Sequence, residues 1–457
     1  MIRTKSFDWT RSRLRSRTTG RCDMDDRGIG ARMRSEGDDV VRDEMKSASP
    51  GRHVCLLCES HAVEQFLKLG EMALANKFVS REDLSKKDPR YPLQVGFCHT
   101  CGHVQLVDIV PPAAMFEDYL YVSAASDTLR QHFAELAEIV VTRLGLGASD
   151  LVIDIGCNDG TLLKAFRGLG VRTLGVDPAE NLAELNKESG IERLVTYFNP
   201  ETATEIVKGY GQASAITITN TFPHIQDLQG FAAAVKKVLK PGGSLVIEAH
   251  YLVDLLEQGA FDTVYHEHVS YWALGPMKYL FEQHGLEVVN AERLPIHHGQ
   301  LRATIRRAGE CTPSPAVAQL LAAERAMGVD KFETYQRFAQ MVEKIRTDLL
   351  ETLARLRADN KRIAAYGAPA KGNTLIEFLQ LSPDSVEYIA DKSPLKQGKY
   401  SPGAHIPVVP TERLLEDQPD YVVLLAWNFR DEILAQQAEY RRRGGKFISP
   451  LPQVQVY

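Results

Sequence analysis

The stretch Leu151-Val152-Ile153-Asp154-Ile155-Gly156-Cys157-Asn158-Asp159-Gly160 decides the fold. Its first five residues are almost wholly apolar and end at a glycine, the pattern of a short buried strand closed by a tight turn. The segment that follows opens as a helix, and strand, Gly-rich turn and helix in that order mark the entry to a nucleotide-type α/β sheet. A dinucleotide fingerprint places glycine at the first, third and sixth positions of the turn. Here those positions hold Gly156, Asn158 and Thr161, so only the first conforms. The turn is also acidic: Asp154 and Asp159 would repel a diphosphate and accommodate a sulfonium. Asp177 closes the next expected strand about 20 residues on, where a carboxylate meets ribose hydroxyls. These residues favour S-adenosylmethionine over a nicotinamide cofactor, with Asp154, Gly156, Asn158, Asp159, Gly160 and Asp177 as candidate contacts.

Outward from this turn the alternation continues. Strands are expected over Leu151–Ile155, Thr173–Val176, Ala215–Thr219 and Ser244–Glu248, with helices between them and Lys240-Pro241-Gly242-Gly243 as a turn into the last. Such alternation predicts a mostly parallel, doubly wound sheet. Upstream, Leu129, Phe133, Leu136, Ile139 and Val140 predict a helix over Asp127–Leu144. Downstream, residues 316–360 read as helical, with Phe332, Tyr335, Phe338, Val342, Ile345, Leu349 and Leu353 in one stripe. Core packing between domains explains that stripe better than a cofactor box. A second strand–helix unit begins at Arg362-Ile-Ala-Ala-Tyr366-Gly367, with strands near Val386–Ala390 and Tyr421–Leu425 and an edge strand at Phe447–Ser449.

Ahead of the sheet lie Cys55-Leu-Leu-Cys58 and Cys98-His-Thr-Cys101, two of the pairings among seven cysteines. Four thiolates from two Cys-x-x-Cys knuckles satisfy tetrahedral zinc and leave no open position, so the metal is expected to be structural. His99 and His103 are neighbours expected to be spectators. The strand-like Tyr91–Cys98 enters the second knuckle, Gly102 supplies its turn, and Val104–Asp108 returns. Without an export signal, such pairs read as metal ligands in a reducing cytoplasm, not as disulfides.

Two further clusters carry chemistry. Tyr265-His266-Glu267-His268, with His224 shortly after the Ala215–Thr219 strand, lacks His-Glu-x-x-His spacing, and proton transfer suits it better than metal binding. Gly367-Ala-Pro369-Ala-Lys371-Gly372-Asn373-Thr374 is a second strand–helix turn, basic where the first is acidic. Backbone amides at a helix start plus Lys371 would suit a diphosphate, although a purely structural turn would read the same. Tyr119 and Tyr121 lie in an aromatic stretch before the first helix.

The 457 residues carry a net charge of −5, which argues against a nucleic-acid-wrapping protein, and no apolar run is long enough to span a bilayer. Residues 1–49 are rich in Arg, Asp, Ser and Gly and nearly free of apolar side chains, so a disordered tail, or an extension ahead of a start at Met45, is expected there.

In order and content, residues from about 54 to the end resemble the sugar C-methyltransferases that act on nucleotide-linked keto-deoxysugars. The resemblance rests on the Cys-x-x-Cys pairs, the acidic Gly turn, Asn220-x-x-x-His224, Tyr265-His-Glu-His268 and Tyr366-Gly-Ala-x-Ala-Lys-Gly-Asn-Thr374. It implies an α/β architecture of three parts: a small N-terminal zinc module, a central class I methyltransferase with S-adenosylmethionine, and a C-terminal Rossmann-like domain. The corresponding boundaries are 1–49 for the tail, 50–112, 113–310, a helical linker over 311–360, and 361–457. It implies His268 as base, with Tyr265, Glu267, His224 and Tyr119 in the active site and Asn220 among the cofactor contacts. Tyr121, Gly367, Lys371, Asn373 and Thr374 would hold the substrate, a thymidine-diphosphate sugar in well-known members. A monomer or homodimer without nucleic-acid or membrane partners is expected. Other classes compatible with the residues are an O- or N-methyltransferase, a nicotinamide oxidoreductase on the second turn, and a zinc-knot binding module.

Overall fold

A computed structural model describes residues 53–116, 122–125, 127–296 and 299–457. The tail over 1–49 and the candidates Tyr119 and Tyr121 lie outside these residues. Among the described residues no helix is long and apolar enough to cross a membrane.

The described residues form three sheets. The first contains β1 (Val63–Met72), β2 (Tyr91–Cys98) and β3 (Val104–Leu106), all antiparallel. β1 was not foreseen, because Val63-Glu-Gln-Phe-Leu-Lys-Leu-Gly-Glu-Met72 mixes charge into its alternation and shifts register twice against β2. β2 begins and ends as the sequence predicts, and Cys98 is its last residue.

The second sheet follows helix α1 (Asp127–Leu144), which has the expected bounds. Its strands are β4 (Leu151–Ile155), β5 (Arg172–Val176), β6 (Arg193–Leu194), β7 (Ala213–Thr219) and β8 (Leu239–His250), all mutually parallel. Helix α2 (Thr161–Gly168) leaves the Gly turn after β4. The short β9 (Ser270–Tyr271) leaves this region and pairs with β3 of the first sheet. β11 (Gln300–Arg307) pairs antiparallel to β8 and β10 (Leu286–Leu294) antiparallel to β11, giving the order β10-β11-β8-β7-β4-β5-β6. Lys240–Gly243, expected as a turn, falls inside the span of β8, with Gly242 at φ +75° and a register irregularity against β7.

The helical stretch divides at Gly328 into α3 (Pro315–Met327) and α4 (Phe332–Ala358). Every member of the expected stripe except Phe332 is buried. The third sheet contains β12 (Ile363–Tyr366), β13 (Ile389–Ala390), β14 (Val408–Val409), β15 (Tyr421–Leu424), β16 (Lys446–Ser449) and β17 (Gln455–Val456). Helix α5 (Ala370–Phe378) follows β12. β16 is internal, paired to β15 on one side and β17 on the other, so the expected edge strand is not at the edge.

Strand order reverses beside β4 in the second sheet and beside β12 in the third. Ligands of open α/β sheets bind at such switch points, beyond the carboxyl ends of the strands. One cavity of about 900 Å³ receives both ends: Gly156, Asp177 and Asn220 follow β4, β5 and β7, His250 ends β8, and Gly367, Asp391 and Trp427 follow β12, β13 and β15.

Candidate active site

At the first switch point the chain turns on Gly156, at φ +72°, where a Cβ would lie 2.1 Å from Thr221 Oγ1. Asn158 and Asn220 also hold positive φ, 51° and 61°, a cost that non-glycine residues bear mostly where geometry serves a ligand. Asp154 is buried and receives a hydrogen bond from Thr217 Oγ1 at 2.7 Å. Burial, with Asp177 nearby, pushes its carboxyl up to about 7. Asp177 accepts from the Asn158 backbone N–H at 2.9 Å through Oδ2, and from Ala179 N at 2.9 Å and Arg193 at 3.0 Å through Oδ1. The Arg193 guanidinium also donates to the Asn158, Asp177 and Ala179 carbonyls, so one cation ties the two loops together. Asp159 lies beneath the turn, accepting from Ala124 N and Thr161, and with Gly160 is absent from the cavity wall.

The same cavity holds a group of imidazoles. The 261–263 segment is a single helical turn, and the Tyr265–His268 tetrapeptide follows it. The His268 Nδ1–H donates to the Thr263 carbonyl at 2.8 Å. That bond leaves the Nε2 lone pair as the basic atom, and the Tyr265 hydroxyl donates to it at 2.9 Å. Burial, with His224 adjacent, pushes His268 down to about 3, so the ring is neutral at ordinary pH. His224 stacks against His268 with centroids 5.3 Å apart and is itself pushed to about 3 by burial. Phe116 covers its other face at 5.1 Å. His250, which no motif announced, lies 5.2 Å from His268. Just before it in β8, buried Glu248 accepts from Arg302 at 2.5 Å and contacts the His132 ring at 2.6 Å, which ties the strand end to α1.

The far wall comes from the third sheet. Gly367 has φ +86°, and a Cβ there would meet Ala426 Cβ at 2.6 Å. Lys371 is partly buried at the start of α5, its ammonium 4.2 Å from the centroid of the Trp427 ring and 3.9 Å from Asp262 Oδ2. Burial, opposed by Asp262, pulls it down to about 8. The Trp427 indole N–H donates to the same carboxylate at 2.6 Å. Lys396, also partly buried, lines the wall and donates to the Ala368 carbonyl at 2.7 Å. Asn373 and Thr374 do not line the cavity; Asn373 donates to the Ala75 carbonyl at 2.7 Å. Glu267 accepts from Asn76 at 2.6 Å and is likewise outside the cavity wall.

In the first sheet the Sγ atoms of Cys55, Cys58, Cys98 and Cys101 all lie within 4.8 Å of one another. The 3.6 Å separations of Cys55–Cys101 and Cys58–Cys98 far exceed a disulfide and suit edges of a tetrahedron with ~2.3 Å metal–sulfur bonds. The Cys101 thiol, hydrogen-bonded to Cys55, pulls Cys55 down to about 6, while burial pushes Cys58 up to about 11. Such crowding resists four thiolates until a cation neutralises them. His99 and His103 stay outside the cluster: His99 meets Glu64 at 2.7 Å and His103 meets Ser270 at 3.1 Å.

Family models match three consecutive segments: "Putative zinc binding domain" over residues 55–116, "Methyltransferase domain" over 128–291 and "C-methyltransferase C-terminal domain" over 295–452. C-methyltransferase NovU of Streptomyces niveus is 36% identical over 403 residues, covering 88% of this chain and 96% of that protein. The chain belongs to the C-methyltransferase family. A ubiquinone biosynthesis O-methyltransferase of Dinoroseobacter shibae matches at 27% identity over 158 residues, 30% of this C-methyltransferase and 60% of that protein. A solved S-adenosylmethionine-dependent methyltransferase of Clostridium acetobutylicum covers 41% of this chain and 94% of its own, with TM-score 0.32 and 11% identity.

The C-methyltransferase uses S-adenosylmethionine, and the first crevice suits that ligand chemically. A buried carboxyl raised towards neutrality, Asp154, faces a site whose ligand carries a sulfonium and an ammonium. The side-chain-free Gly156 packs closely on Thr221, and both it and Asp177 line the cavity. The four thiols equally suit a structural zinc. The cavity thus brings together Asp154, Gly156, Asn158, Asp177, Asn220, His224, Tyr265, His268, Gly367 and Lys371. Sequence reasoning missed His250, Asp262, Trp427 and Lys396. Only Asp262 sits close to a quoted motif; the others gain meaning from partners far away in sequence.

Proposed function

We propose that this C-methyltransferase methylates a carbon of a nucleotide-diphosphate-linked keto-deoxysugar, with His268 as the base. The observation that carries the reading is the His268 tautomer: Nδ1 is committed to the Thr263 carbonyl, so Nε2 is basic inside a cavity that joins both switch points. Bound S-adenosylmethionine supplies an electrophilic methyl. The chain must therefore generate a carbon nucleophile, and a carbon beside a ketone becomes one by losing a proton to His268. Burial makes His268 a weak base; a developing enolate beside the imidazolium offsets that penalty. Tyr265, now on Nε2, would turn its hydroxyl to the enolate oxygen, with His224 beside it, at roughly 3 kcal/mol per donor. Tyr119 and Tyr121, outside the described residues, are assigned to the sugar pocket on the resemblance alone. Glu267 acts from behind, through Asn76. Lys371 and Lys396, with the start of α5, suit a diphosphate, and Gly367 lets backbone approach it. Thymidine as the nucleotide, a monomer or homodimer, and a cytoplasmic location complete the reading, with domain boundaries at 50–112, 113–310 and 361–457. Incubation with S-adenosylmethionine and a panel of nucleotide keto-sugars should give a mass gain of about 14 daltons, roughly one CH₂. The new methyl should be on carbon by NMR; methylation at oxygen or nitrogen would refute the assignment.

A further inference from the structure

Two histidines share the Tyr265–His268 tetrapeptide, and they carry opposite tautomers. His268 donates through Nδ1, as described. His266 Nε2 lies 3.2 Å from the Tyr91 and Pro92 carbonyls at the start of β2. Carbonyls only accept, so Nε2 carries the proton there. The His266 ring is 1% exposed and meets the Tyr91 ring edge-on at 6.0 Å. It therefore faces away from the cavity and into the first sheet.

The neighbouring residues are held by the same sheet. Glu267 is bonded to Asn76, in the connection between β1 and β2. The Leu106 N–H donates to the Val269 carbonyl at 2.9 Å, and β9 pairs with β3 in the register Gln105 to Ser270 and Val104 to Tyr271. β3 follows directly on the second cysteine knuckle. The Gln105 side chain reaches the first knuckle as well, accepting from Leu56 N at 2.7 Å and donating to the Val54 carbonyl at 3.1 Å. His268 is thus bracketed before and after by bonds to the four-cysteine module.

We propose that this module is the positioning device of the loop bearing His268, with His266 as its peg and hence a positioning residue. The inference rests on the reading of His268 as base. Misplacing a reacting group by about 1 Å costs up to ~100-fold in rate, so a peg of this kind matters to turnover more than to binding.

His266→Phe keeps a ring against Tyr91 and removes the donor; His266→Gln restores a donor. In His266→Phe, kcat and exchange of the substrate's α-hydrogen should fall together by ~10–100-fold. Zinc content and the S-adenosylmethionine dissociation constant from calorimetry should stay within about two-fold. His266→Gln should recover part of the loss. A folded His266→Phe enzyme with kcat and exchange within about two-fold of wild type overturns the proposal, as does cofactor affinity falling in step with kcat. Should the Phe variant fail to fold, wild-type enzyme stripped of metal by a chelator decides by hydrogen-exchange mass spectrometry. Residues 265–272 should lose protection in step with 55–106 while 151–177 keep theirs, and unchanged protection over 265–272 overturns the proposal. Wild-type enzyme that methylates no keto-sugar would instead fail the functional reading, which the exchange-protection arm does not depend on.

Discussion

Lowering pH should destabilise this protein well before its carboxylates are neutralised. His224, His266 and His268 are buried, and burial holds them near pKa 3, 4 and 3 against about 6.5 in an unfolded chain. Below pH 6.5 the unfolded rings bind protons that the folded rings refuse, so stability is complete above 6.5 and lost as pH falls. At pH 5 each ring costs about 2 kcal/mol, and the three about 6. Asp154 works the other way: with a folded pKa of about 7, it takes up a proton in the native state first and returns about 2.6 kcal/mol by pH 5. The net loss from these four groups is about 3 kcal/mol, and buried His103, also held near 3, adds about 2, together a large part of the 5–15 typical of a domain. Urea titrations at pH 8 and pH 5, without cofactor and followed by tryptophan fluorescence, measure it. His224→Phe keeps the stack with Phe116 and removes one titrating ring, so its loss between the two pH values should be smaller by about 2 kcal/mol. Equal losses in wild type and His224→Phe would refute the neutral buried ring as the cause.

Other outcomes follow from the same geometry. His268→Asn should lose methylation and substrate α-hydrogen exchange together, by at least ~100-fold; exchange at the wild-type rate would name another base. Because Asp154 must ionise to meet a cationic ligand, S-adenosylmethionine affinity should rise up to tenfold per pH unit to about pH 7 and then level off, and calorimetry giving a flat profile would exclude that pairing. Cys58→Ser should drop tightly held zinc below one equivalent and lower the thermal midpoint, whereas a full retained equivalent by metal analysis would exclude a four-thiolate site.

The central sheet was legible because β4, β5 and β7 are short apolar runs between polar helices, a signal local to each segment. β10 and β11 were not: Asn290, Glu292, Arg302 and Arg306 interrupt their apolar alternation, and their identity as strands depends on pairing with β8. β17 is two exposed residues with no pattern of its own, so β16 read as an edge. At the site, residues in motifs with fixed spacing were legible, as for the four cysteines, Asp154 and the tetrapeptide. His250 is a lone histidine at a strand end, and Asp262 meets Trp427 across 165 positions. Neither relation leaves a trace in spacing. Asn373 and Thr374 belong to a motif yet turn into the fold, because successive residues on a helix face different ways.

Helix α4 has 27 residues, about 40 Å of continuous backbone. At one end Tyr335 packs on Phe66 and Phe97 of the first sheet, 5.0 and 4.9 Å between centroids. Farther along, Arg346 lies over Phe378 of α5 and donates to its carbonyl at 3.3 Å. A single stiff rod therefore braces the wall that carries the imidazoles against the wall that carries Lys371. On the proposed reading the enzyme works as a caliper: it gauges how far the handle extends from the reacting ring. A sugar 1-phosphate offered in place of the nucleotide conjugate should be turned over far more slowly, and equal turnover of the two would show that no such gauge operates.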